Sequence, residues 1–86
     1  MPEVIQQYIS QFHDKSGSAY AVTAYGEPTT NGTWAGWLEF HPIDKTKPVM
    51  CTERETTQPD RSALEYWASG LEPLYFEGAF ARARTK

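Results

Sequence analysis

The sequence predicts an α+β domain, a four-stranded antiparallel β-meander with a broken C-terminal helix packed on one face. Three observations predict it. Turn signals divide the first half into short segments of alternating residues, residues 57–82 switch to helical spacing, and 86 residues leave room for one domain over residues 1–86. Such a chain buries roughly 60% of its unfolded surface, so the core must be thin. Three Trp, five Tyr and four Phe suit that need, since a fully buried ring contributes on the order of 1.5–3 kcal/mol.

The first segment reads two ways. Val4, Ile5, Tyr8, Ile9 and Phe12 sit at helical spacing, and Pro2 can open a helix. The run leads straight into Asp14-Lys15-Ser16-Gly17, however, a tight turn whose Gly can take the left-handed position of a type I turn with a bulge. A hairpin there needs a strand on each side, which favours a strand over residues 6–13. A leading helix would instead give α-β-β-β-α, the order of double-stranded-RNA-binding domains.

In the second strand Tyr20, Val22 and Ala24 alternate with Ala21, Thr23 and Tyr25, and Gly26 and Pro28 suggest a bulge or an edge position. Asn31-Gly32 is a two-residue hairpin signal, because both central positions of the favoured turn take positive φ. Trp34, Gly36, Leu38 and Phe40 then share one face of the third strand, and Trp37, Glu39 and His41 share the other. A polar loop between Pro42 and Pro48 precedes a fourth strand over residues 49–56.

Thr57-Gln58-Pro59-Asp60 matches a capping box, with a Thr hydroxyl followed three residues later by an acid and Pro59 tolerated in the first turn. Ala63, Leu64, Trp67, Ala68 and Leu71 form one apolar stripe, and Gly70 reads as a left-handed C-cap. Pro73 can start a second helix carrying Leu74, Tyr75, Phe76, Ala79 and Phe80.

The phrases GTWAGWLEF, RETTQPDRSALEYWASGLEP and YFEGAFARA resemble a group of short, uncharacterised bacterial proteins sharing a GTW-x-GWLEF strand and a TTQP…YWA-x-GLEP…EGA tail. The resemblance covers most of residues 32–83. It implies a compact β-meander followed by helix, and it supports the strand reading of residues 6–13. It carries no catalytic role to any position.

Charge narrows the partners. The net is −3, yet Arg82, Arg84 and Lys86 lie in the last five residues, so residues 1–81 hold five basic and eleven acidic groups, a net of −6. An acidic body argues against broad phosphate-backbone binding, and cations at a helix end complement its dipole. Cys51 is the sole cysteine, which excludes an intrachain disulfide and a multi-cysteine zinc site. No basic leader followed by an apolar run and no membrane-length span is present, so the expectation is a reduced, cytoplasmic protein with no membrane, metal or cofactor dependence.

Candidate chemistry is sparse. His13 and His41 flank different turns, and Cys51 in a strand reads as a small buried hydrophobe rather than a nucleophile. Glu77 stands among Tyr75, Phe76, Gly78, Ala79 and Phe80, where an apolar setting can raise a carboxyl pKa; the plainer reading is a helix's single polar stripe. The polar run Arg54-Glu55-Thr56-Thr57-Gln58 stands where strand becomes helix, and backbone N–H groups there can receive an anion, although Thr57 capping its own helix accounts for most of the pattern.

The remaining resource is aromatic. Trp34 and Trp37 project to opposite faces of a regular strand, and adjacent Tyr66 and Trp67 point about 100° apart on a helix. One of each pair can enter the core; the other stays near the surface unless the second helix wraps back over it. Exposed rings beside Arg make interface hot spots. The favoured function is a non-catalytic interaction module, docking a protein partner or itself through Trp34, Trp37, Arg54, Gln58, Tyr66, Trp67, Tyr75 and Glu77. The other readings are a double-stranded-RNA-binding-like module and a small-ligand binder or enzyme using Glu77 and Arg54. The RNA reading fails at its binding residues, because Gln58-Pro59-Asp60-Arg61 offers one cation where groove phosphates need several.

Overall fold

A computed structural model describes residues 1–86. The chain runs β1 (Glu3–Gln7), β2 (Phe12–His13), β3 (Ala19–Pro28), β4 (Trp34–Pro42), β5 (Met50–Cys51), β6 (Thr56–Gln58), α1 (Arg61–Ser69), α2 (Pro73–Arg82) and β7 (Arg84–Thr85). It is an α+β fold with an antiparallel sheet and two helices, and the sheet has seven strands where four were expected. Its order is β1-β3-β4-β5-β7, with β2 beside β3 and β6 beside β4.

The difference lies in the two outer ribbons and the tail. The expected first strand is split into β1 and β2: the register against β3 slips between Val4 and Gln6, and residues 8–11 then leave the ladder. Tyr8 accounts for the break. Its backbone N–H still donates to Val22 O, while its hydroxyl donates to Ala68 O at 2.6 Å and its ring meets Phe76 edge-on at 4.8 Å. The expected fourth strand is split likewise into β5 and β6. Cys51 opposes Glu39 and Thr56 opposes Gly36, so residues 52–55 bulge opposite only Trp37 and Leu38. Thr52 fills the gap in the ladder, accepting from Leu38 N–H at its Oγ1 (3.0 Å) and donating its own N–H to Leu38 O (2.9 Å). The seventh strand is the basic tail, which pairs with β5 through Met50–Thr85 and Cys51–Arg84.

Several local expectations also need correction. Asn31-Gly32 is not a two-residue turn. Gly32 alone takes positive φ (88°), its N–H reaches Thr29 O, and Pro28 opposes Trp34. That geometry is a longer loop of the turn-plus-bulge kind seen also at Asp14, where Gly17 has φ 88°. Thr57 pairs with Ala35 inside β6 and does not cap a helix. Asp60 caps α1, its Oδ1 accepting from Ala63 N–H at 2.8 Å. Gly70 ends α1 in a right-handed conformation (φ −94°, ψ −1°), not a left-handed one; the chain turns on through Leu71 toward Pro73, which begins α2. β3 is a central strand rather than an edge.

Both helices lie on one side of the sheet. Tyr20, Val22, Ala24, Leu38 and Phe40 face them and form the core with Ala68, Phe76 and Ala79. At one end Phe80 brings α2 against Phe12, Tyr20 and Phe40, with ring centroids 5.0–5.2 Å apart. At the other end Leu64, fully buried, sits over Gly26 and Gly36. An added Cβ at Gly36 would stand 2.6 Å from Leu64 Cδ1. Absence of a side chain there is what lets α1 approach the strands.

Candidate interaction surface

With α1 and α2 on one side, alternation sends Val4, Ala21, Thr23, Tyr25, Ala35, Trp37, Glu39 and His41 to the other, where no second layer lies. Tyr25 and Trp37 are cross-strand partners and stack at 6.3 Å with planes 16° apart. Beside them runs a groove of about 310 Å³ lined by Glu27, Ala35, Trp37, Cys51, Thr52, Glu53 and Arg54. A sheet face turned to water ordinarily alternates toward charged and polar residues. This one presents a ring pair flanked by Thr23 and Glu39 on one side and by Glu27 and Ala35 on the other.

The same face holds a buried carboxylate. Glu39 is 4% exposed, and its oxygens receive Lys86 Nζ at 2.9 and 3.1 Å and His41 Nε2 at 3.1 Å. Cys51 Sγ stands 4.0 Å away. Burial, and next the Glu39 charge, push the Cys51 thiol up, the wrong direction for a nucleophile. Lys86, extended by β7, spans the sheet edge to reach this acid.

A second polar constellation lies where the residue 52–55 bulge meets the end of α2. Glu55, with only 8% of its side chain exposed, accepts from Tyr75 Oη (2.5 Å) and from Arg82 Nη2 (2.5 Å) and Nε (3.3 Å). Burial pushes the Glu55 carboxyl up, but the hydrogen bonds from Arg82 and Tyr75 and the Arg82 charge outweigh it, so the group is held below its ordinary range. Burial first, then the bond to Glu55 and its charge, push the Tyr75 phenol up to about 12.

The residues expected at an interface separate into groups. Trp37 is half-buried on the helix-free face. Arg54 is exposed at its margin, Nη1 donating to Thr57 Oγ1 at 3.3 Å. Tyr75 is the donor to Glu55, and its ring meets Trp67 edge-on at 6.2 Å. Trp67 packs against the core. Trp34 lies on the helical side under the Arg61 guanidinium, 5.7 Å from its centroid, and Gln58 is occupied locally with Thr56 at 2.7 Å. Tyr66, 83% exposed, stands on the outer side of α1. Glu77 is exposed and lines a cleft of about 450 Å³ with Phe12, His13, Asp14, Lys15, Ser16, Phe80 and Ala81. Glu77 and Arg54 therefore line different clefts.

Sequence reasoning passed over Tyr25 and Glu39 as site residues, and it read Glu55 only as part of a polar run and Arg82 and Lys86 only as a basic tail. Glu39 and His41 were visible as neighbours on one strand face. Nothing in the sequence marks the approach of Lys86 or Arg82, which depends on where the tail lands.

The arrangement is that of a two-layer α+β domain with one uncovered sheet face. No protein-family model, curated protein or solved structure matches the chain.

Proposed function

We propose that this chain is a small non-catalytic protein-interaction module that self-associates through the helix-free face of its sheet. The Tyr25–Trp37 stack carries the reading: two large rings sit side by side beside exposed Val4, on a face that neither helix covers. Sheets that pack face to face interdigitate the side chains of such faces.

A catalytic reading lacks a matching constellation, since the Cys51 thiol is pushed up and Glu77 and Arg54 line separate clefts. The RNA-binding reading needed residues 4–12 as a helix, and that segment forms β1 and β2 instead. Sedimentation equilibrium tests the proposal. The wild-type chain is expected to dimerise, and Trp37→Arg to weaken the dimer at least about thirtyfold, as loss of a 2 kcal/mol hot spot implies. A wild-type chain that remains monomeric across the concentration range contradicts it.

A further inference from the structure

Beyond the sheet face, the cleft beside Glu55 has a composition at odds with the rest of the chain. It measures about 820 Å³ and is lined by Glu53, Arg54, Glu55, Tyr75, Arg82 and Arg84 among others. Three of the chain's eight Lys and Arg residues thus line one cleft of a protein whose net charge is −3. One of its two carboxylates and one of its three cations offset each other: Glu55 is satisfied by Tyr75 and Arg82, which leaves Arg54 and Arg84 facing Glu53. Arg54 and Arg84 have no carboxylate within 4.0 Å, whereas Arg61 is paired with both Glu3 and Glu65. Glu53 is the single opposing charge left on the cleft wall.

We infer that this cleft is a binding site for a small oligo-anion bearing two neighbouring phosphoryl or carboxylate groups, gripped by Arg54, Arg82 and Arg84. The arginines are prepared for it. Glu55 takes Nε and Nη2 of Arg82 and orients its fork, and Nη1 lies along α2 where Gly78 leaves room, 3.3 Å from where a Cβ would stand. Thr57 holds Arg54 by its Nη1. A guanidinium has five donors in one plane, so both keep N–H groups for an oxyanion, and such charge-assisted forks are the stronger kind of hydrogen bond. Holding them in advance reduces the ordering cost of binding. Two anionic groups match the two arginines, Arg54 and Arg84, that lack a counter-charge within the chain.

Titration followed at the arginine Nε–Hε resonances tests the site, with pyrophosphate in one arm and citrate in the other at constant ionic strength. Saturable shifts at Arg54, Arg82 and Arg84 are expected. Arg54→Gln and Arg84→Gln should each weaken binding about tenfold, the scale of one charge-assisted contact, while Arg61→Gln leaves it unchanged. All three positions are at the surface, and an unaltered amide spectrum elsewhere verifies the fold. Response to pyrophosphate alone identifies a phosphoryl ligand, to citrate alone a carboxylate ligand, and to both the shared oxyanion chemistry. Shifts that never saturate, that appear equally at the Nε–Hε of Arg61, or that persist undiminished in both glutamine variants overturn the inference.

Discussion

At the scale of single residues, Gly36 and Glu55 show how little slack the packing leaves. Leu64 is fully buried over Gly36, so a methyl group at that position must displace the end of a packed core side chain. Gly36→Ala should cost about 1–3 kcal/mol in urea denaturation, and Leu64→Val in the same chain should recover part of it, making the pair less costly than its sum. Glu55 gives a pH signature. Its folded pKa lies below the ordinary value of 4.5, so its contribution is present above that value and is lost as pH falls through the folded pKa. Tyr75 is raised from 10.0 to about 12, so its contribution is present below pH 10 and lost as pH rises toward 12. Urea midpoints measured against pH should therefore fall less steeply below pH 4.5 in Glu55→Gln than in the wild type. The alkaline fall should soften too, because Glu55 supplies part of the Tyr75 shift.

At the scale of elements, the start of α1 separates two explanations that look alike in sequence. Thr57 and Asp60 both match cap chemistry, but only Asp60 accepts a helix N–H, while Thr57 is an exposed member of β6. Asp60→Ala should cost about 1 kcal/mol in thermal or urea unfolding, and Thr57→Ala should stay within about 0.5 kcal/mol of the wild type. The two helices, the central hairpin and the face shared by Leu38 and Phe40 were legible because alternation and helical spacing report burial directly. The register was not. A two-residue turn at Asn31-Gly32 would set Tyr25 opposite Leu38, whereas the observed loop sets it opposite Trp37. One residue of slip changes which face a side chain occupies, and so the ring pair stayed hidden. The broken outer strands were illegible for a related reason: Tyr8 and Thr52 leave regular pairing to satisfy distant groups, Ala68 O and the Leu38 backbone, which no local pattern announces.

At the scale of the whole molecule, two helices cover one sheet face and leave the other to a stacked pair of rings, an acid clasped by Lys86, and small residues between them. Tyr66 and Leu74 are more exposed as individuals, at 83% and 78%, but they belong to different helices, and single exposed apolar residues are ordinary on a soluble surface. A continuous face is the better candidate for recognition. The most direct measurement is isotope-filtered NMR on a mixture of labelled and unlabelled chains, which registers only contacts between copies. Self-association through the sheet predicts intermolecular contacts from the rings of Trp37 and Tyr25 and from the Val4 methyls. Intermolecular contacts confined to Tyr66 and Leu74, or none at concentrations where half-millimolar-scale dimers (about 4–5 kcal/mol of binding) would be populated, would contradict it.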